Sequence, residues 1–307
     1  MKINLSVKIG KIKLKNPVMT ASGTFGYAEE FNDFINLKRL GAIVTKTVTL
    51  KPHIGNLPAR TCETPSGMLN SIGLENPGLE VFLKSKLPFL KKLNIPVIMS
   101  IASIGSPEEF IELAKRLNKV SAVDALELNI SCPNIIGEKT LISQECEATY
   151  KTVSSVRKAT NKTLITKLSP NVTCISDIAK AAQSAGSDAI ALINTLSGMS
   201  IDIEKRAPKL KAVTGGLSGP AIRPVALKMV WEAYNNIKIP IIGMGGIMDT
   251  PSALEFLIAG ATAISIGTAN FINPKATIEI IDGLSEYLKR KKIKSAEELT
   301  GSLSHEK

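Results

Sequence analysis

Histidine is almost absent from this chain: the 307 residues contain two, His53 and His305. An HExxH metal site needs two histidines on one helix face, and a Ser-His-Asp triad needs a histidine held between two partners. The two stand far apart in the sequence, which excludes an HExxH site, and so few histidines disfavour a Ser-His-Asp triad and a multi-histidine iron site. We therefore predict no metal site and expect the chemistry to use other side chains or a cofactor.

Cysteine is also scarce, with Cys62, Cys132, Cys146 and Cys174 forming no CxxC pair. A disulfide framework, a cysteine zinc site and an iron–sulfur cluster all require more closely spaced cysteines. The pattern favours a reducing compartment, and we expect a cytoplasmic protein.

Long apolar runs are missing as well. No stretch of about 18 apolar residues occurs, and the first residues do not form the apolar core of a signal peptide, so we expect no membrane association. Aromatic residues make up only 4% of the chain, which leaves few stacking platforms for bases. The net charge of +11 could serve an anionic substrate, an anionic cofactor or nucleic acid. Because the basic residues are scattered, with one cluster at 289–294, we expect no nucleic-acid partner.

Short apolar segments with strand character alternate with helical patterns along the whole chain. This alternation is typical of parallel α/β proteins, and eight such units predict a closed (β/α)8 TIM barrel forming a single domain over residues 1–307. The predicted strands are 17–22, 42–47, 97–101, 125–129, 164–167, 189–194, 239–244 and 263–267.

Three segments depart from the alternation. Residues 3–15 alternate apolar and polar around Gly10, which predicts an N-terminal β-hairpin closing the bottom of the barrel. Residues 50–80 and 197–219 are long, rich in Gly, Pro and Ser, and follow strands 2 and 6. Barrels keep substrate contacts and lids in such loops.

The predicted strand ends are polar and rich in glycine. Active sites of these barrels lie at the carboxyl ends of the strands, so the side chains there should meet in one mouth. Two of them, Lys46 and Lys167, indicate an anionic ligand. Glycines after strands 7 and 8 are typical of a phosphate site, although glycines also allow tight turns and asparagines also form turns.

Several motifs resemble those of one enzyme family. Segments 70–78, 129–134, 193–195 and 215–220 resemble signature segments of class 1 dihydroorotate dehydrogenases, the FMN enzymes of pyrimidine synthesis. Segments 23–27, 198–202 and 267–271 are most similar to the NAD-linked subclass, type B. The resemblance covers nearly the whole chain in order.

The resemblance implies a reaction and a catalytic residue. One FMN per chain accepts a hydride from C6 of dihydroorotate while a base removes the C5 proton, which gives orotate. Cys132 matches the family's base, and a thiol with an ordinary pKa of about 8.5 can act near neutral pH once its surroundings adjust it. The other three cysteines are interpreted as inert.

The resemblance also implies two sets of binding residues. Those for FMN are Ser22, Lys46, Thr47, Ser100, Asn129, Lys167, Ile193, Gly219, Gly245, Gly246, Gly267 and Thr268. Those for the substrate are Lys46, Asn70, Ser71, Ile72, Gly73, Leu74, Asn129, Asn194 and Thr195. Ser100 departs from the family, in which many members have asparagine near the flavin.

For the NAD-linked subclass the resemblance implies a partner. This chain has no GxGxxG turn opening a Rossmann unit. A separate electron-transfer subunit carrying FAD and a [2Fe-2S] cluster is expected to pass electrons to NAD, in a heterotetramer of two catalytic and two electron-transfer chains.

Other functions stay open at this point. The fumarate-linked class 1 homodimers share the cysteine, whereas the membrane-associated class 2 enzymes have a serine base and an anchoring extension. A tRNA dihydrouridine synthase would suit the charge, but no room for an RNA-binding domain follows residue 275. A flavin-free phosphate-binding barrel and a catalytically silent scaffold are the remaining alternatives.

Overall fold

The computed structural model describes residues 3–131 and 142–304, so Cys132 and His305 lie outside the described residues. Its strands are β1 Val7–Ile9, β2 Ile12–Leu14, β3 Val18–Thr20, β4 Ile43–Val44, β5 Thr61–Thr64, β6 Gly67–Asn70, β7 Val97–Ile101, β8 Ala125–Asn129, β9 Thr163–Lys167, β10 Ala189–Leu192, β11 Leu196–Met199, β12 Ile201–Asp202, β13 Ala207–Pro208, β14 Thr214–Ser218, β15 Ile241–Gly243 and β16 Ala263–Ile266.

The helices of the described residues are α1 Gly78–Val81, α2 Leu87–Leu93, α3 Glu108–Asn118, α4 Cys146–Ala159, α5 Ile175–Ser184, α6 Arg223–Tyr234, α7 Thr250–Ala259, α8 Ala269–Ile272 and α9 Ala276–Lys291. A π-helical segment, Phe82–Lys86, joins α1 to α2. Short 3₁₀ turns occur at Glu29–Phe31, Leu37–Arg39, Ile142–Gln144, Pro220–Ile222 and Ala296–Leu299.

Eight parallel strands of the described chain form a TIM barrel, as the sequence predicts. Their order is β3-β16-β15-β10-β9-β8-β7-β4. The ring closes where Met19 bridges Ala42 in parallel, beside a hydrogen bond from the Val44 amide to Oγ1 of Thr20 at 3.0 Å. Every residue of β7, β8 and β9 is buried, as expected for strands covered by helices outside and by side chains inside.

The predicted hairpin is present as β1 and β2, which pair antiparallel. Gly10 turns between them with a φ of +54°, a conformation that favours glycine. The Lys11 amide donates to Oγ1 of Thr163, the first residue of β9, at 2.9 Å. The hairpin therefore covers the amino end of the barrel, opposite the strand ends that carry the predicted site.

The two long segments are not irregular loops. Residues from both form an antiparallel sheet in the order β11-β14-β6-β5, in which Gly216 pairs with Asn70. We call these four strands the accessory sheet. The sequence predicts the length of both connections but not this pairing.

Helix ends explain how the barrel loops are fixed. Asp249 caps α7 by accepting from the Ser252 amide at 2.9 Å, and Gly260 ends the helix with a φ of +125°. The helix begins at Thr250, and Pro251 lies in its first turn, where proline is tolerated. Helix α3 begins at Glu108, directly after Pro107. Within residues 3–131 and 142–304, no helix is both long enough and apolar enough to cross a membrane.

Candidate active site

A cavity of about 300 Å³ lies between the carboxyl ends of the barrel strands and the accessory sheet. This volume is at the lower end of the usual range of ligand pockets, roughly 300–1,000 Å³. The cavity is lined by these predicted residues: Ser22, Lys46, Thr47, Asn70, Ile72, Gly73, Leu74, Asn129, Lys167, Ile193, Asn194, Thr195, Gly219, Gly245, Gly246, Gly267 and Thr268. One space thus brings together residues separated by up to 246 positions, from Ser22 to Thr268.

The floor of the cavity is a network of polar side chains. Lys167, at the end of β9, is 5% exposed, and its Nζ donates to Oγ of Ser22 at 3.3 Å, just beyond β3. Thr47 and Ser100 share a hydrogen bond of 2.9 Å between their hydroxyls, and Nδ2 of Asn129 donates to Oγ1 of Thr47 at 3.3 Å. The floor therefore offers one cation and several fixed dipoles to a ligand.

Glycines form one wall. Gly245 and Gly246 follow β15 with φ values of +126° and +77°, which side-chain-bearing residues rarely adopt. A Cβ on Gly246 would lie 2.8 Å from the Gly219 carbonyl oxygen. At Gly267 the nearest atom to an added Cβ is 3.6 Å away, so a methyl there would make only ordinary van der Waals contact. Backbone this close to a cavity suits the oxygens of a phosphate.

The accessory sheet forms the roof. Asn70 ends β6, and its Nδ2 donates to the Gly216 carbonyl on β14 at 3.4 Å. The following turn is held by Asn56, whose Nδ2 donates to Oγ of Ser71 at 2.9 Å. Gly73 and Leu74 both have a positive φ, which turns the backbone toward the cavity.

Asn194 joins β10 to the segment that leads to Cys132. Its Nδ2 donates to the carbonyl and to Oγ of Ser131, at 2.9 and 3.1 Å. The buried Ser131 therefore has a fixed position beside the cavity wall. Cys132 itself is outside the described residues, and its predicted role stays a prediction.

Two predicted residues are placed behind the lining. Ser100 is fully buried and meets the site through Thr47, and Ser71 is 1% exposed and bonded to Asn56. Neither side chain faces the cavity space.

Sequence reasoning missed other lining residues, including Arg60, Met68, Glu75 and Phe271. Arg60 and Glu75 form an ion pair of 2.7 Å at the mouth. Neither residue follows a barrel strand, so the search for polar residues at the carboxyl ends of the strands did not identify them. Asn171 was also missed: its Nδ2 donates to the Thr195 carbonyl at 3.2 Å and fixes that edge.

The described part of the chain has no cluster of three or more His, Cys, Asp or Glu side chains suited to a metal ion. The arrangement suits a flat anionic ligand and a phosphate, because the Lys167 cation lies on the floor, amides lie on the floor and roof, and glycine backbone forms one wall.

Comparison with known proteins agrees with this geometry. The family model for dihydroorotate dehydrogenase matches residues 4–288. A protein of Trichlorobacter lovleyi, named dihydroorotate dehydrogenase B (NAD(+)), catalytic subunit, is 51% identical over 303 residues, 99% of each chain. A protein of the same name from Caldicellulosiruptor bescii is 52% identical over 302 residues. The alignment covers 98% of this chain and the whole of that protein.

A solved structure shares the fold. The crystal structure of DHODH from Eimeria tenella in complex with ferulenol has a TM-score of 0.80, covers 97% of this chain and 88% of its own, and is 23% identical. At that identity the likeness concerns the barrel alone. The family model and the half-identical relatives span nearly every residue, and the chain belongs to the dihydroorotate dehydrogenase family.

Proposed function

We propose that this chain is the catalytic subunit of an NAD-linked dihydroorotate dehydrogenase, which oxidises (S)-dihydroorotate to orotate in pyrimidine biosynthesis. One observation carries the proposal: of the described residues that the motifs assign to FMN or substrate, all but Ser71 and Ser100 line one cavity. The names of the relatives, which are half identical over the full length, support the same activity.

The cavity residues fit FMN. Gly245 and Gly246 line the cavity with backbone that carries no side chain, so a phosphate can approach this backbone closely. The Lys167 ammonium provides positive charge on the floor, and Ile193 and Met244 add apolar surface. When bound, FMN supplies the hydride acceptor of the reaction.

The chain's own residues bind and orient the substrate. Orotate is a flat anion edged with amide groups, so the half-buried Lys46 is assigned to its carboxylate and the amides of Asn70, Asn129 and Asn194 to its edges. Cys132 receives the proton that leaves C5. Asn194 fixes Ser131, the residue before that cysteine, so the same side chain borders the substrate and anchors the chain directly before the base.

The electron acceptor requires a second chain. The relatives are named as catalytic subunits linked to NAD(+), which supports a separate electron-transfer subunit. We propose that this partner carries FAD and a [2Fe-2S] cluster and that two of each chain form a heterotetramer. A cytoplasmic location is part of the proposal, supported by the unpaired Cys62, Cys146 and Cys174.

The test is reconstitution. The purified chain should bind one equivalent of FMN and transfer electrons from dihydroorotate to an artificial acceptor. Rapid turnover with fumarate, without any partner, would instead assign the chain to the fumarate-linked homodimers. Failure to bind FMN would overturn the proposal.

A further inference from the structure

Glu127 is a buried carboxyl side chain that the proposed mechanism does not use. It lies in the middle of β8 and is 2% exposed, and its Oε1 has no hydrogen-bond partner among the described residues. A buried carboxylate is costly unless an opposite charge offsets it. The ionised form of Glu127 therefore requires a counter-charge in its surroundings.

Lys167 is the other charged side chain among the buried residues of the described chain. In the pairing of β8 with β9, Asn129 stands opposite Lys167, and both line the cavity. Alternate residues of a strand share one face, so Glu127 lies on the same inner face, one layer below. The rise along a parallel strand and the spacing between strands put the Cα atoms of Glu127 and Lys167 about 8 Å apart.

No other group among the described residues takes this role. Nζ of Lys167 donates to Oγ of Ser22, a neutral group that leaves its charge in place. Lys46 is only half-buried, so solvent screens its charge. None of the ion pairs within the described residues includes Glu127 or Lys167, so the two charges act on each other across the barrel interior rather than in contact.

We propose that Glu127 is the counter-charge of Lys167 and a positioning residue of the site, which sets how much positive potential the lysine presents to the cavity. The pairing of the Glu127 and Lys167 charges depends only on the geometry of the barrel. Its effect on a flavin and on orotate rests on the proposed function.

The proposal gives opposite signs for two substitutions. Glu127→Gln removes the negative charge and keeps the shape, so the cavity becomes more positive. Orotate should then bind about tenfold tighter, and reduction of bound flavin should become about tenfold more favourable, which is about 30 mV for two electrons. Lys167→Met should move both quantities the other way. If Glu127 only filled space, both variants would bind orotate more weakly.

The experiment is a double-mutant cycle with Glu127→Gln, Lys167→Met and the double variant. Thermal unfolding of the full chain without flavin tests the pairing. The double variant should be more stable than Lys167→Met, because it leaves no lone buried charge. Orotate affinity and flavin midpoint potential of the loaded protein test the tuning.

Thr166→Val is the matched control: Thr166 is buried on the outer face of β9, bonded to Ser187 at 2.5 Å. It should lower stability and leave orotate affinity and potential unchanged. If Glu127→Gln alone does not fold, the double variant must still fold.

The proposal is overturned if Glu127→Gln keeps both site quantities within about twofold of wild type. It is equally overturned if both single variants shift in the same direction, or if the double variant is no more stable than Lys167→Met. Wild-type protein that binds neither FMN nor orotate would instead remove the proposed function, and the stability cycle would still decide the pairing.

Discussion

Cys132 carries the proton transfer of the proposed reaction. Cys132→Ser should leave FMN bound and slow flavin reduction by dihydroorotate about 10²- to 10⁴-fold, because a serine hydroxyl is far harder to deprotonate near neutral pH than a thiol and so rarely offers a basic oxygen. Rapid anaerobic mixing measures the rate. Cys174→Ser, at an exposed cysteine before α5, is the control and should reduce at the wild-type rate. Equal rates in both variants would remove Cys132 from its role.

The glycine wall offers a second test at the residue scale. Gly246→Ala forces a methyl to within 2.8 Å of the Gly219 carbonyl oxygen at a positive φ, so it should lower both stability and FMN affinity. Gly267→Ala meets nothing closer than 3.6 Å and adds a methyl to the cavity lining, so it should fold normally and still bind FMN more weakly. Thermal unfolding and FMN titration separate the two effects. Wild-type FMN affinity in both variants would place the phosphate elsewhere.

At this scale the motifs predicted most of the lining residues but not their depth. Strand-end position alone does not tell whether a side chain faces the cavity, and Ser100 turned out to lie behind Thr47. Arg60 and Glu75 reach the mouth through the accessory sheet, so no barrel rule selects them.

At the scale of elements, the strands of the barrel could be predicted from the sequence, whereas the accessory sheet could not. Buried parallel strands are continuous apolar runs with helical patterns between them, which is a local signal. Strand β14 contains Gly215 and Gly216, residues that disfavour strands. It is stabilised by pairing with β6, about 146 residues earlier, and by Thr195 packed against Gly216. Pairing at that separation leaves no periodic trace in either segment.

The cap of α7 gives a prediction for one element. Burial alone would raise the pKa of Asp249, but hydrogen bonds from Ser252 and the charge of Arg223 bring it below its ordinary value. Asp249→Ala should cost about 1 kcal/mol of unfolding free energy, and Asp249→Asn should retain most of the cap. Urea unfolding measures both.

The pH dependence of that cap has a defined sign. A carboxyl whose pKa is lower when folded stabilises the protein above its unfolded pKa of about 3.9 and loses this contribution as pH falls through the folded value. The stability difference between wild type and Asp249→Asn should therefore be largest near neutral pH and shrink in acid. A difference that grows in acid would contradict the assigned hydrogen bonds.

At the scale of the whole molecule, the two ends of the barrel have different roles. The hairpin covers the amino end, and the site occupies the carboxyl end beneath the accessory sheet. In the proposed assembly this chain reduces its flavin unaided but needs the electron-transfer subunit to reduce NAD. Adding that subunit should produce NADH at a rate that saturates at one partner per chain. NADH production by this chain alone would contradict the division of labour.

The central claim is that this chain binds FMN in the cavity and that the bound flavin oxidises dihydroorotate. The most direct measurement is the visible absorbance of the FMN-loaded chain under anaerobic conditions, before and after dihydroorotate is added. The account predicts that the flavin band bleaches and that one orotate forms per flavin. A flavin that stays oxidised, or a colourless chain that FMN cannot reconstitute, would contradict it.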